Sequence, residues 1–187
     1  CSGCTACMHV CPAGAISMLA DNEGFLYPYI DETKCTECLL CKSICPFRQL
    51  RDATGHFETP QVYAARHKDD RVRSSSSSGG MFTALSDYIL DNHGVVYGAA
   101  FDPDFNVRHI KAENRNQRDL CKGSKYVQSS LDNTFVDVKA ELDQGRHVLF
   151  TGTPCQTAGL KAYLGSAAYE KMILCDLVCH GTPSPLI

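Results

Sequence analysis

The sequence has no long apolar run and no concentration of positive charge, and both absences narrow the range of functions. No stretch approaches the roughly 20 apolar residues that a membrane-spanning helix needs. Lysine and arginine number 18 against 21 acidic residues, for a formal net charge of −3. No basic run is interleaved with aromatic side chains. Neither a membrane span nor a nucleic-acid partner is therefore predicted.

An apolar leader segment ahead of the cysteines is also lacking. Twelve cysteines would suit the disulfide framework of a small secreted chain. Without a leader they favour metal ligation in a reducing compartment, so we expect a cytoplasmic protein. The chain begins at a candidate ligand and ends shortly after a predicted strand. We therefore expect the 187 residues to be a piece of a longer protein.

Eight of the twelve cysteines form two copies of one spacing pattern. Each copy reads Cys-x2-Cys-x2-Cys-x3-Cys-Pro, ending at Pro12 in the first and Pro46 in the second. This spacing is typical of bacterial proteins with two cubane 4Fe–4S clusters, in which the fourth cysteine of each run binds the other cluster. The predicted ligands of the first cluster are Cys1, Cys4, Cys7 and Cys45. Those of the second cluster are Cys35, Cys38, Cys41 and Cys11.

A structural zinc site is the main alternative for these cysteines. Such a site uses paired cysteines and is complete with four ligands. Here a third cysteine at the same spacing precedes each Cys-Pro step, and the whole pattern occurs twice. Backbone N–H groups in the ligand loops would remain free to hydrogen-bond cluster sulfurs, which is one way a protein tunes the reduction potential.

The cysteine pattern and the apolar periodicity together predict an α+β fold. Residues 1–50 are predicted as a small bacterial-ferredoxin-like domain with pseudo-twofold symmetry and a hairpin that turns at 21–24 and shields the clusters from water. Residues 51–61 are predicted as a linker because they are polar and contain Gly55 and Pro60. Residues 62–187 are predicted as an α/β domain.

Within the second domain, alternating and buried apolar patterns predict the strands and helices. A first strand is predicted at 62–65 and a charged loop at 67–73. Further strands are predicted at 95–101, 107–111, 148–150 and 172–178. Helices are predicted at 81–92, 114–120 and 154–164, and another is marked by Phe135, Val138 and Leu142 and ends at Gly145. The strand–helix–strand unit from 148 to 178 predicts a right-handed parallel crossover. Because ligands bind beyond the carboxyl ends of such strands, residues 151–156 and 179–181 are expected on one rim.

A run of five serines and two glycines leads into the helix that begins at Met81. By itself such a run is a flexible linker. Small residues at a helix N-terminus also leave bare N–H groups that approach a phosphate, assisted by the helix dipole. Both interpretations stay open on the sequence alone, as do an exposed loop and a cofactor loop for residues 122–129.

Four blocks of sequence occur in a characteristic order. They read SGGMFTAL at 78–85, GSKYVQS at 123–129, GTPCQ at 152–156 and CHGTPS at 179–184. Together with the double cysteine run, they resemble the family of coenzyme F420 hydrogenase/dehydrogenase beta subunits (FrhB/FdhB-like) over nearly the whole chain. The resemblance implies that residues 62–187 are an α/β flavin-binding domain that is C-terminally incomplete, and that two 4Fe–4S clusters are connected to FAD. It also implies hydride exchange with coenzyme F420 or another small acceptor, and a redox partner protein or subunit.

The resemblance also implies which residues contact the cofactor. The implied FAD contacts are Ser78, Gly79, Gly80, Ser124, Lys125, Thr151, Gly152, Thr153 and Gln156. The implied catalytic residues are Lys125, as a cation that stabilises reduced flavin, and His180, as a proton donor or substrate contact. A structural, hydrogen-bonded histidine is the alternative for His180.

Two further alternatives concern the remaining cysteines and the overall function. Cys121, Cys155, Cys175 and Cys179 are either inert, partly buried thiols or the ligands of a further cluster. The chain is either the flavoprotein oxidoreductase described above, a non-enzymatic ferredoxin-type relay subunit without flavin, or a reductase of polysaccharide biosynthesis.

Overall fold

The computed structural model describes residues 1–49, 60–165 and 169–186. Most of the predicted linker at 51–61 lies outside these residues. The described part of the amino-terminal region contains three short helices and one hairpin. They are α1 (Ala6–Val10), β1 (Ile16–Ala20), β2 (Leu26–Ile30), α2 (Leu40–Ser43) and α3 (Pro46–Gln49).

The predicted hairpin is confirmed. Its strands pair antiparallel from Ile16 opposite Ile30 to Ala20 opposite Leu26. The Asp21 carboxylate organises the turn, because it accepts hydrogen bonds from the N–H groups of Glu23 and Phe25 at 3.0 and 2.9 Å. Most of the hairpin is only half-buried or exposed. It therefore shields the cysteine loops on one side only, through residues such as Ile16 and Ile30.

The two cysteine loops share the same backbone conformation. Gly3 and Glu37 occupy equivalent positions of the repeat and have φ values of 68° and 55°. Thr5 and Leu39 are also equivalent, each lies just before a short helix, and their φ values are 61° and 60°. Left-handed backbone is costly for residues other than glycine. Its occurrence at matching positions indicates that the repeated spacing imposes one loop geometry twice, as pseudo-twofold symmetry requires.

The remaining elements form an α/β unit around a mixed four-stranded sheet. They are α4 (Asp70–Ser74), α5 (Met81–Asp91), β3 (Val95–Phe101), β4 (Val107–Ala112), α6 (Arg115–Asp119), α7 (Thr134–Asp143), β5 (Val148–Gly152), α8 (Pro154–Leu164) and β6 (Met172–Asp176). The strand order is β4-β3-β5-β6. β4 is antiparallel to β3, whereas β3, β5 and β6 are mutually parallel. The mixed α and β content and the predicted β5-α8-β6 crossover are confirmed.

Three local predictions need correction. Residues 62–65 form no strand, and the side chains of Val62 and Tyr63 are 89% and 77% exposed. β-propensity stabilises a strand only when the segment finds a partner and a face to bury. The predicted charged loop at 67–73 instead contains the start of α4, because the Asp69 side chain caps the helix by accepting from the Arg71 N–H. Thr151 and Gly152, predicted as a turn, are the last residues of β5.

Side chains of the central strands alternate between two apolar layers. Val95, Tyr97, Val148 and Phe150 pack with residues of α7 and α8 on one face. The residues between them, such as Val96 and Leu149, pack against α5 on the other face. Cys4 and Ala6 belong to the first layer. The first cysteine loop is therefore built into the core of the α/β unit. Among the described residues, no helix has the length and apolarity needed to cross a bilayer.

Candidate cluster sites and cofactor cavity

The predicted ligands of the second cluster line one small cavity. Cys11, Cys35, Cys38 and Cys41 surround it together with apolar residues that include Ile16 and Ile30. The Ala15 N–H donates to the Cys11 sulfur at 3.3 Å. This is the kind of amide–sulfur contact that adjusts the potential of an iron–sulfur cluster. The four sulfur donors and their apolar surroundings fit the cluster that the spacing predicts.

The predicted ligands of the first cluster are distributed from the surface to the core. Cys4 is buried, Cys7 and Cys45 are half-buried, and Cys1 is exposed. Burial raises the pKa of the Cys7 thiol to about 11, and it also raises the pKa of Cys4, with smaller contributions from neighbouring Cys45 and Cys155. Iron binding at these thiols must therefore release protons. The mutual influence of Cys4, Cys7 and Cys45 indicates that these three side chains lie near one another.

Among the residues described, no three histidine, cysteine or acidic side chains converge tightly enough to hold a single metal ion. A cubane places different demands on its ligands, because each thiolate binds a different iron at its own corner. Its cysteines therefore surround an inorganic core and need not meet at one point. The arrangement at the second site, where four cysteines line a common cavity, is of this wider kind.

A large cavity lies at the carboxyl ends of β5 and β6 and has a volume of about 610 Å³. Every residue predicted to contact FAD lines it, except Gly79. Its wall also includes Cys1, Ser2, Phe25 and Tyr27 from the amino-terminal region. Cys179, Gly181 and Thr182 of the carboxyl-terminal segment also line it. The same segment contacts the hairpin turn, since the Ser184 hydroxyl donates to the Glu23 carbonyl and Leu186 packs close to Gly24. One cavity thus contacts both halves of the chain.

Glycine suits the two positions before α5 for different structural reasons. Gly80 has a φ of 75° and forms the N-cap of the helix. Gly79 lies against another part of the backbone, where an added Cβ would be 2.5 Å from the Ala65 carbonyl oxygen. The His67 N–H donates to the Gly79 carbonyl at 2.6 Å. Gly79 therefore packs against the backbone at Ala65 and His67, on the side away from the cavity, while Ser78 and Gly80 line the cavity.

Lys125 lines the cavity, and its ammonium group is already partly hydrogen-bonded. It donates to the carbonyls of Leu120 and Lys122 at 3.0 and 2.8 Å. Partial burial lowers the pKa of Lys125. A lysine has three donors, so one remains for a ligand in the cavity. His180 is exposed and is not part of the cavity wall, so the structure does not bring the two predicted catalytic residues together.

A buried histidine at the cavity wall was missed by the sequence analysis. The His109 ring stacks on Phe150 with centroids 5.2 Å apart. Its Nε2 lies 3.0 Å from the Thr151 carbonyl, and its Nδ1 lies 3.1 Å from the Ser129 hydroxyl. The Thr151 carbonyl can only accept, so Nε2 carries the proton and the Ser129 hydroxyl donates to Nδ1. The sequence signal that could have identified it is the alternation of apolar and polar residues along β4, which places His109 at a buried position.

The hydrogen-bond chain from His109 extends to the start of α8. The Gln156 side-chain amide donates to the Ser129 hydroxyl at 2.8 Å. The Gln156 carbonyl oxygen accepts from the Thr153 N–H at 2.9 Å, as part of a capping box. Because each bond has a defined direction, the chain holds the rim at Thr151 and Thr153 in one conformation.

We expect His109 to make stability depend on pH below neutrality. Burial lowers the pKa of His109 to about 4 in the folded protein, whereas an unfolded histidine titrates near 6.5. Between these values the unfolded state binds more protons. The free energy of unfolding should therefore fall as the pH is lowered from about 6.5 to about 4, by at most ~1.4 kcal/mol per pH unit.

The measurement compares the chain with its His109→Gln variant by anaerobic thermal unfolding across this pH range. The difference between the two proteins removes pH effects that both share. Replacement of the exposed His93 by asparagine is the control and should leave the pH profile unchanged. Equal slopes for the chain and His109→Gln would contradict the buried, neutral state of His109.

The four cysteines outside the repeats are half-buried, and all of them line the large cavity. The Cys155 sulfur lies 3.1 Å from the Thr153 hydroxyl, and it is close enough to Cys4 to affect the pKa of that thiol. Burial raises the pKa of Cys121 to about 11 and also raises that of Cys175. The positions of these cysteines do not distinguish inert thiols from ligands of a further cluster, so both alternatives stay predictions.

Comparisons with known proteins agree with the order of the two regions. Residues 1–48 match the family model of the 4Fe-4S dicluster domain, and residues 62–135 match the N-terminal model of the coenzyme F420 hydrogenase/dehydrogenase beta subunit. One subunit of the F(420)H(2) dehydrogenase of Methanosarcina mazei is 20% identical over 188 residues, covering 96% of this chain and 53% of that protein. The chain thus spans about half the length of the curated relative that it matches.

A solved structure supports the fold. A chain of the xenon-derivatised F420-reducing [NiFe] hydrogenase complex from Methanosarcina barkeri superposes with a TM-score of 0.51 at 22% identity. The match covers 68% of this chain and 48% of that chain. The two matched domains and their order agree with the predicted resemblance: residues 62–135 are similar to the N-terminal domain of coenzyme F420 hydrogenase/dehydrogenase beta subunits, and they follow a 4Fe-4S dicluster domain.

Proposed function

We propose that this chain passes electrons between two 4Fe–4S clusters and FAD bound in the large cavity, and that the flavin exchanges electrons with a coenzyme F420-type deazaflavin or another small acceptor. The observation that carries this proposal is the composition of the cavity wall. Residues predicted to contact FAD line the same cavity as Cys1 and Ser2 of the first-cluster loop. A cofactor in this cavity would lie directly beside that loop.

The cavity has the properties that FAD requires. Its volume of about 610 Å³ is within the usual range for cofactor sites. The N-terminus of the 11-residue helix α5 opens into it beyond Gly80, where free N–H groups and the helix dipole favour a phosphate. Met81, Phe82 and Tyr27 provide apolar wall for a flavin ring. Bound FAD would convert between two-electron and one-electron transfer, and the clusters would carry single electrons.

The residues of this chain would position the cofactor and supply charge. The third N–H of Lys125 is free of the backbone and is available to an anion in the cavity. The rim from Thr151 to Gln156 is held by the His109 chain and does not need to rearrange on binding. His180 lies outside the cavity wall. We therefore propose Lys125, and not His180, as the charged group beside the cofactor.

The second cluster would be the exit toward a protein partner. Two of its predicted ligands, Cys35 and Cys38, are exposed. Leu39, Leu40 and Ile30 line the same small cavity and expose 55%, 41% and 43% of their surface. Exposed apolar residues around a redox centre are typical of a transient docking surface. We propose that a redox partner subunit docks here, in the reducing cytoplasm.

Cofactor analysis tests the proposed function. Anaerobically prepared protein should contain about eight iron atoms and one extractable FAD per chain. It should also oxidise or reduce a deazaflavin, with matching changes in the visible spectrum of the clusters. The relay alternative predicts iron without flavin. The polysaccharide-reductase alternative predicts iron and flavin without rapid deazaflavin turnover. Zinc in place of iron would contradict all three.

A further inference from the structure

The contacts of Gln128 point to a positioning role that the family resemblance does not assign. This residue lies in the loop before α7, within the cavity wall. Its side chain crosses to the amino-terminal region and hydrogen-bonds there twice. The side-chain carbonyl accepts from the Leu26 N–H at 2.8 Å, and the side-chain amide donates to the Ser2 carbonyl at 3.3 Å.

The Leu26 N–H has no competing partner in the hairpin. In an antiparallel pair, hydrogen-bonded and non-hydrogen-bonded positions alternate. The Asp21 N–H donates to the Phe25 carbonyl, so the next pair, Ala20 opposite Leu26, is a non-hydrogen-bonded one. The Leu26 N–H therefore points away from β1, and Gln128 is its acceptor.

The first cysteine loop is fitted closely around the Gln128 side chain. Gly3 lies between Cys1 and Cys4 and has a φ of 68°. A Cβ at this position would be 2.6 Å from the Gln128 side-chain nitrogen and 2.7 Å from the Leu26 carbonyl oxygen. Ser2, Gly3, Leu26 and Gln128 thus meet at one point, between two predicted ligands of the first cluster.

The other end of this connection is rigid. Ser130 is bonded to the edge strand β4, since its N–H donates to the Val107 carbonyl and its carbonyl accepts from the His109 N–H, at 2.9 and 2.8 Å. Ser129 is bonded to His109 and Gln156. Neighbouring residues therefore connect the same loop to the sheet and to the cavity rim, which leaves Gln128 little freedom to move.

We propose that Gln128 is a clasp that holds the first-cluster loop against the cavity rim, and so sets the position of the first cluster relative to the cofactor. This inference deepens the proposed function and rests on it for the identity of that cofactor. Gln128 makes no cluster bond, so its effect is on geometry and electron passage and not on cluster assembly.

Hydrogen exchange of the cluster-loaded chain tests the clasp directly. In Gln128→Ala, exchange of the Leu26 amide should be about fivefold faster or more, since the lost bond is worth on the order of 1 kcal/mol. Iron content should be unchanged. Gln128→Glu should preserve the slow exchange, because a carboxylate still accepts from Leu26. Gln117→Ala is the control, as it removes a similar side-chain acceptor from the Glu113 N–H at a site on α6.

A second pair of variants tests the same contact from the opposite side. Gly3→Ala should accelerate Leu26 exchange as Gln128→Ala does, because the new Cβ displaces the side chain. Gly14→Ala is its matched control, since Gly14 has a φ of 58° but nothing within 4 Å of an added Cβ. The double variant Gly3→Ala/Gln128→Ala should exchange no faster than either single variant, as expected for one shared interaction.

Electron passage gives the readout that a purely structural role would not change. With cofactor contents equal, reduction of the clusters after rapid reduction of the flavin should be several-fold slower in Gln128→Ala and intermediate in Gln128→Glu. An unchanged Leu26 exchange in Gln128→Ala would overturn the clasp, and an unchanged rate would overturn its positioning role. If the chain binds no flavin, the proposed function fails. The positioning role is then tested by the reduction potential of the first cluster, which should differ between the unsubstituted chain and Gln128→Ala.

Discussion

Replacement of Cys38 by alanine is expected to remove about half of the iron and to leave the flavin content unchanged. Cys38 lines the small cavity together with Cys11, Cys35 and Cys41. A cubane that loses one of four thiolates loses one corner of its attachment, and an exposed site gives water access to that corner. The first cluster has separate predicted ligands, of which Cys4 belongs to the core, and it should remain.

Iron and flavin analysis after anaerobic preparation checks this expectation, with an electron paramagnetic resonance spectrum of the reduced protein to count the remaining clusters. Cys11→Ala should have the same effect, although Cys11 belongs to the other cysteine run. This agreement would verify the exchange of fourth ligands between runs. Cys121→Ala is the control, as this thiol lies in the large cavity and outside both repeats. Unchanged iron in Cys38→Ala would contradict the ligand assignment.

Replacement of Gly159 by alanine is expected to remove the first cluster. Gly159 lies in the middle of α8, where alanine would ordinarily stabilise the helix by about 1 kcal/mol. At this position an added Cβ would be 2.9 Å from the Cys4 Cβ and 3.0 Å from the Cys4 sulfur. The helix and the first cysteine loop both belong to the core, so neither can withdraw easily. The steric effect on a ligand should therefore outweigh the gain in helix propensity.

The measured result should be a loss of about half of the iron, as in Cys38→Ala, but from the other cluster. The double variant Cys38→Ala/Gly159→Ala should hold almost no iron. Lys161→Ala on the exposed face of the same helix should keep its full content. Full iron content and an unchanged cluster spectrum in Gly159→Ala would show that Cys4 is not a ligand, or that the loop moves freely.

Predictions from the sequence succeeded where the physical cause is local. The hairpin follows from two short apolar segments and an aspartate-containing turn, and its strand pairs and turn hydrogen bonds join residues within about 15 positions of one another. The helix from Pro154 to Leu164 follows from a proline at its first position and from the capping box of Thr153 and Gln156. Such signals act between neighbours in the chain, and tertiary contacts did not override them.

Predictions failed where the cause is a distant partner. The apolar residues at 62–65 suggested a strand, but they pair with no strand of the sheet, and the backbone at Ala65 packs on Gly79 instead. The histidine at 109 was overlooked because its partners, Thr151 and Ser129, are 42 and 20 residues away. Gln128 was noted only as part of a motif, since its contacts with Leu26 and Ser2 cross more than 100 residues. Rules based on residue spacing along the chain do not predict contacts between such distant residues.

The sequence by itself predicted the family resemblance, the order of the two regions and the two sets of four cysteines, because ligand spacing within a loop is a local property of the chain. Only the tertiary structure decided that the first cysteine loop enters the core beside Gly159 and that Gln128 joins it to the cavity rim. These arrangements depend on which distant surfaces pack together. The burial of Cys4, Ala6 and their apolar neighbours decides which surfaces pack, and it brings Cys1 and Ser2 of the first cysteine loop to the wall of the large cavity.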